Sequence, residues 1–290
     1  MASVHPYGIG CSVQIPAGAE HGQVPEFYLV PKKLARKAPV LARMAQTVEA
    51  WAFRFIFWLI QTLSLENALR LGGFTFALTG PHSDKAKKAH TNLAIAFPNR
   101  DEQWRKNTVK QIFRHLGYST VELIKLEQIW AQREQRVEYV LEPAARAHME
   151  SKRATILLTA HVGPWQVAPL VTKEYGFTVN TISAPASNPT LQALMLDLRK
   201  VFGEKLIPAD SGPRPIIREL NAGNSIIMAM ATRPDTGKLI PFLGRDALTN
   251  TSAVGLALRT GAALVVARGE RLPNARYRIT VYDPLVSADP

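Results

Sequence analysis

His161 is the residue from which the chemistry of this chain is read. It follows an apolar run, Thr155-Ile-Leu-Leu-Thr159, and precedes Val162-Gly-Pro-Trp-Gln166. The run reads as a buried strand, and Pro164 as the first residue of a helix continuing to Glu174, because proline's missing N–H has no intrahelical partner there. His161 then stands at the carboxyl end of a strand, just outside a helix N-terminus. Ligands of open α/β sheets bind at that edge, and the free N–H groups of a helix start suit an anion. A single histidine after a strand is equally well an ordinary polar residue of a βα loop. Two arginines, Arg233 and Arg245, flank the segment Pro241-Phe-Leu-Gly244 near another strand edge, where Gly244 suits a tight backbone turn.

These residues need a scaffold, and the text around them supplies one. From Ala154 onward strands and helices alternate. Strands are expected at 155–159, 178–183, 205–208, 225–230, 239–242, 263–268 and 276–282, with helices at 164–174, 188–201, 213–222 and 252–260 between them. Near-continuous apolar strands in such alternation argue for an α/β fold: a mostly parallel central sheet flanked by helices. Upstream, Asp101 is placed to cap a long helix reaching about Gln128. Trp104, Val109, Ile112, Phe113, Leu116, Val121 and Ile124 recur in it at helical spacing as core positions. A small strand is expected at 137–141.

The N-terminal third has a different character. Residues 1–30 lack the basic start and apolar core of a signal peptide and read as a loosely ordered leader. Residues 31–80 open with a basic cluster (Lys32, Lys33, Arg36, Lys37, Arg43) and continue into Trp51-Ala-Phe-Arg-Phe-Ile-Phe-Trp58. The uncharged part, 55–65, is short against the roughly 20 residues that span a bilayer core. Basic residues beside an aromatic, apolar helix fit a segment lying in the membrane interface. Residues 81–290 then form the α/β domain.

Together several segments resemble a known family. Asn92-Leu93, Phe97-Pro98, Ala160-His161-Val-Gly-Pro-Trp-Gln166, Asn188-Pro189, Phe202-Gly203 with Leu206-Ile-Pro208, Pro241-Phe-Leu-Gly-Arg245, Leu256-Ala-Leu-Arg-Thr-Gly-Ala262 and Tyr277-Arg278 with Pro284-Leu285 follow one another. In order and spacing they resemble the bacterial lipid A lauroyl/myristoyl acyltransferases and the phosphatidylinositol mannoside acyltransferases. The resemblance implies an enzyme that moves a fatty acyl group from acyl carrier protein or coenzyme A to a hydroxyl of a glycolipid or lipid A-type acceptor. It also implies peripheral attachment at the cytoplasmic face of the bacterial inner membrane, and no cofactor.

Within that family the motif is His, four residues, then Asp or Glu. The histidine is the general base toward the acceptor hydroxyl, and the carboxylate orients the ring and stabilises the imidazolium. His161 matches, whereas Gln166 offers an amide oxygen without charge. Trp165, Asn188, Arg233, Gly244 and Arg245 are read as substrate-binding, the two arginines toward phosphates of the donor's carrier arm or of the acceptor lipid. Two further departures remove charge: Ala184 stands near a usual arginine, and Ala231 stands where an acidic residue is usual. Gln166, Ala184 and Ala231 together raise a second reading, an inactivated or catalytically impaired lipid-binding relative.

Composition narrows the alternatives. The chain has 290 residues, 47% of them apolar and 20% charged, which is the profile of a folded protein. Lys plus Arg exceed Asp plus Glu by 35 − 23 = 12. That excess calls for a polyanionic partner: an anionic membrane surface, an acidic carrier protein or nucleic acid. Nucleic acid is set aside, because no stacking motif, helix-turn-helix or zinc module accompanies the charge. A single cysteine, Cys11, excludes an internal disulfide framework. No metal-ligand spacing and no Gly-rich phosphate loop occurs.

Overall fold

The computed structural model describes residues 39–183, 197–198, 200–202, 206–208, 211–230 and 237–285. The leader, the basic cluster at 32–37 and most of the helix expected at 188–201 lie outside them.

Six helices come first: α1 (Pro39–Thr62), α2 (Leu65–Thr79), α3 (Asp84–Ala96), α4 (Glu102–Ile124), α5 (Leu126–Ala131) and α6 (Arg133–Arg136). The α/β part follows as β1 (Val137–Leu141), α7 (Pro143–Ser151), β2 (Thr155–Ala160), α8 (Leu170–Glu174), β3 (Val179–Ser183), β4 (Leu206–Pro208), α9 (Pro213–Asn221), β5 (Ser225–Met230), β6 (Lys238–Phe242), β7 (Arg245–Thr249), α10 (Ser252–Thr260), β8 (Ala263–Leu272) and β9 (Arg276–Val281). Seven strands make one sheet in the order β1-β9-β8-β2-β5-β3-β4. All neighbours run parallel except β8 and β9, which form a hairpin. The expectation of a mostly parallel sheet between helices therefore holds. After β2 the chain moves to one side (β3, β4, β5) and later fills the other (β8, β9). The carboxyl end of β2 is thus the point where the strand order reverses, and open α/β sheets bind ligands there.

Helix boundaries follow local chemistry. The Asp101 carboxylate accepts the Trp104 N–H at 2.6 Å, so the expected cap of α4 is present. The helix stops at Ile124, short of Gln128, since Lys125 leaves helical geometry. Its buried ammonium instead donates to the carbonyls of Gln61 (3.0 Å) and Leu63 (2.6 Å), the unpaired acceptors at the end of α1. Gln61 returns a bond to the Ile124 carbonyl at 2.9 Å, so the ends of α1 and α4 are stapled reciprocally.

Two positions assigned to the core of α4, Ile112 and Leu116, are exposed; Val109, Phe113 and Val121 are buried. The inner face is shared with α2, and the two helices meet through glycines. A side chain at Gly117 would collide with the Gly72 carbonyl, and one at Gly73 with the Tyr118 ring. On α1 the apolar face points outward. Val40, Met44, Val48, Trp51, Phe55 and Trp58 recur every three or four residues, and all are exposed. Among the described residues no helix is long and apolar enough to cross a membrane.

α4 also carries His115, Ser119 and Glu122, spaced to share one face. All three meet Arg271 of β8. The guanidinium forks onto Glu122, Nε to Oε1 at 2.6 Å and Nη2 to Oε2 at 2.7 Å. Nη2 lies 2.9 Å from Ser119 Oγ, and Nη1 lies 2.9 Å from His115 Nδ1. An arginine can only donate, so the His115 nitrogen accepts and the ring is neutral. Burial first, and then the charges of Arg271 and Arg114, hold the His115 pKa below its ordinary value of 6.5.

Two outcomes are expected. Gly117→Ala forces α2 and α4 apart and costs about 1–3 kcal/mol, read as a melting temperature several degrees lower. For pH, the unfolded chain takes up a proton on His115 near 6.5 that the native site resists. Stability is then flat above that pH and falls below it. Replacing His115 with Gln should flatten part of the fall in a series of melts from pH 7.5 to 5.

Candidate active site

The loop at the end of β2 is shaped by three contacts. The register pairs Ala160 with Met230, so His161 emerges beside the end of β5. Val162 N–H turns back to the Ala160 carbonyl at 2.6 Å. Gly163 has φ of +62°, and a side chain there would strike the Gly269 carbonyl of β8. Gly269 in turn admits no side chain, because a Cβ would sit 2.8 Å from Pro164 Cγ. Glycine at both positions lets the loop lie directly on the strand.

The expected helix at Pro164 is not formed. Residues 164–169 wind as successive turns, with Val167 N–H on the Pro164 carbonyl at 2.8 Å and Leu170 N–H on the Val167 carbonyl at 2.9 Å. Regular helix begins only at Leu170 and lasts five residues. The regular helix end expected directly beside His161 is therefore not found there among the described residues.

His161 is exposed, and its Nδ1 lies 3.2 Å from the Met230 carbonyl. A carbonyl can only accept, so Nδ1 carries a proton, and in the neutral ring Nε2 is then the nitrogen with the lone pair. Trp165 packs on the ring with centroids 4.4 Å apart and planes at 56°. Gln166 is buried, and among the described residues no hydrogen bond joins it to His161. The expected orienting role of its amide is taken by the Met230 backbone instead. That acceptor carries no side-chain signal and could not be read from sequence.

Next to the His161 loop a cavity of about 370 Å³ opens at the carboxyl ends of β2 and β5, against the middle of β8. Leu158, Ala160, Val162, Met230 and Val266 make its wall mostly apolar. Arg268 lies at its rim, paired to Glu270 at 3.1 Å. A base with a free lone pair beside an apolar cavity suits proton removal from a ligand whose other part is a hydrocarbon.

The other predicted site residues fare differently. Gly244 and Arg245 lie on a β6–β7 hairpin that forms its own two-stranded sheet. Only β6 was expected as a strand. Leu243 (φ 51°) and Gly244 (φ +75°) make its tight turn, as anticipated for Gly244. Arg245 is exposed opposite Phe242, and among the described residues no hydrogen bond joins either residue to the His161 loop. Just before α10 the Asn250 side chain accepts the Ser252 N–H at 2.8 Å, and Thr251, at the helix start, makes no side-chain cap. Ala184, Asn188, Ala231 and Arg233 lie outside the described residues.

Comparison with known proteins places this geometry. Two phosphatidylinositol mannoside acyltransferases of Mycobacterium tuberculosis, from strains ATCC 25618 / H37Rv and CDC 1551 / Oshkosh, are each 27% identical to the chain over 115 residues. The aligned part is 38% of this chain and 36% of each relative, so the chain spans about a third of their length. The solved 1-acyl-sn-glycerophosphate (LPA) acyltransferase PlsC from Thermotoga maritima matches with a TM-score of 0.35 and 14% identity, over 76% of this chain and 85% of that one. The family model for bacterial lipid A biosynthesis acyltransferases matches residues 37–289, and the chain belongs to that family.

Proposed function

We propose that the protein is an O-acyltransferase working at a membrane surface, with His161 as its general base. The observation that carries this reading is the His161 ring, whose Nδ1 lies 3.2 Å from the Met230 carbonyl, in the loop whose residues Ala160 and Val162 line the apolar cavity. The donor is an acyl thioester of acyl carrier protein or coenzyme A, and the acceptor is a hydroxyl of a membrane lipid or glycolipid. Nε2 takes the hydroxyl proton as the oxygen attacks the thioester carbonyl. The tetrahedral intermediate collapses, the C–S bond breaks, and the imidazolium returns its proton to the departing sulfur. An ester and a free thiol result. The apolar cavity is suited to the acyl chain.

The outward face of α1 supports a peripheral position at a membrane surface, which this reading assigns to the cytoplasmic side of the inner membrane on the family resemblance alone. Exposed apolar stripes of this length mark interaction surfaces, and Trp51 and Trp58 are residue types that favour the headgroup region. The net charge of +12 suits both anionic lipid and an acidic carrier protein.

A second reading, the catalytically impaired relative, is favoured by one observation: nothing charged orients His161 among the described residues, and Gln166 makes no bond to it. A carbonyl partner stabilises an imidazolium less than a carboxylate does.

Acyl transfer from both thioesters to membrane lipid extracts separates the two. Turnover by the unaltered chain is expected, with a loss of about 10²–10⁴-fold in His161→Ala and less than about a tenfold change in Gln166→Glu. Silence of the unaltered chain together with turnover by Gln166→Glu would establish the impaired relative. For the membrane face, Trp51→Glu with Trp58→Glu should abolish sedimentation with anionic phosphatidylglycerol vesicles while leaving the melting temperature unchanged. Undiminished binding would remove α1 from the interface.

A further inference from the structure

We infer that Glu122 and Arg271 are positioning residues for the His161 loop, acting through the Gly163 carbonyl. The inference rests on the reading of His161 as the base. Arg271 does more than pair with Glu122. Its Nη2 donates to the Gly163 carbonyl at 3.0 Å, and Ser119 Oγ lies 3.4 Å from the same oxygen. Gly163 is two residues beyond His161. It has no side chain of its own to fix it, and its neighbour Pro164 has no N–H to offer. Without the arginine the Gly163 carbonyl would keep only the longer contact to Ser119 Oγ, and His161 its 3.2 Å contact to Met230.

The arrangement is built with more donors and acceptors than an ion pair needs. Glu122 is fully buried and fixes the fork in plane. The Tyr118 ring lies 5.4 Å from the guanidinium carbon and covers one face of it. His115 takes one of the two Nη1 hydrogens at 2.9 Å. Each contact removes a way for the guanidinium to rotate, and the Nη2 hydrogen not given to Glu122 is shared between Ser119 Oγ and the Gly163 carbonyl. The same carbonyl, drawn inward, sends the chain on through the turns at 164–169 and turns His161 toward the end of β5.

A lysine could supply the charge opposite Glu122, but its point-like ammonium cannot fork onto the carboxylate and reach Gly163 together. Apolar residues at both positions would remove the buried charges without leaving one unpaired, a change that interiors tolerate. These two facts separate positioning from plain stability.

The test compares the unaltered chain, the double variant Glu122→Met with Arg271→Met, and Arg271→Lys. Three quantities are read in each: the melting temperature, kcat and KM for acyl transfer, and the His161 ring nitrogen signals in a ¹⁵N-histidine-labelled sample. Assignment of those signals uses His161→Gln. In the double variant a melting temperature within a few degrees of the unaltered chain is expected, with kcat lower by about 10²-fold and KM unchanged. The His161 signals should depart from the Nδ1-protonated form. Arg271→Lys should fold, lower kcat by about tenfold and move the same signals. Unaltered kcat and unmoved His161 signals in either folded variant overturn the inference. If the unaltered chain transfers no acyl group, the catalytic reading fails by itself. The ring signals then still decide whether the pair orders the loop.

Discussion

Arg271 ties three layers of the protein together at one guanidinium. It belongs to β8, it grips Glu122 and Ser119 of α4, and it reaches the loop that follows β2. Removing one member of a buried pair of this kind costs about 3–5 kcal/mol, because the partner is left charged and dry. Burial pushes the Glu122 carboxyl upward in pKa, and Arg271 works against that push. The helical layer is thereby fastened to the sheet at the edge where the cavity opens. At that edge Gly163 and Gly269 lie so close that a side chain on either would collide with the other segment.

The helical layer has two faces with different duties. Toward the sheet it supplies Leu65, Leu123, Leu126 and Ile129 as packing and His115, Ser119 and Glu122 as polar contacts. Away from the sheet α1 presents its aromatic stripe. The staple between Lys125 and the end of α1 couples these faces mechanically. In the proposed reaction a lipid-bound α1 would therefore lie in fixed relation to α4. Through Arg271 it would also be tied to the loop bearing the base.

Orientation of His161 by a peptide carbonyl has a chemical consequence. In the proposed reaction the carbonyl would select the Nδ1–H tautomer as a carboxylate does. It adds no negative charge to stabilise the imidazolium that would form. The proposed base then relies on direction more than on electrostatic assistance, in keeping with the uncharged Gln166.

Sequence alone determined a good deal. Alternating apolar strands announced the α/β sheet, since a strand buried on both faces must be apolar throughout. Asp101 announced the start of α4, and Gly244 its turn, because those residues relieve local backbone demands. His161 at a strand end was legible for the same local reason. The rest was decided by contacts between residues far apart in the chain. Pro164 was suited to a helix start, yet the segment after it winds as turns and regular helix waits until Leu170, while the carbonyl just before it is bonded by Arg271, far along the chain. Ile112 and Leu116 fit the helical period but fall on the outer face, because the glycine crossing with α2 sets the rotation of α4. The partner of His161 is a backbone carbonyl, which every residue carries and no pattern distinguishes. Glu122 looked like one more polar residue in a helix until the fold set an arginine of β8 against it. Periodicity and capping are properties of neighbours along the chain, whereas the orientation of a base and the pairing of buried charges exist only once the sheet has closed on the helices.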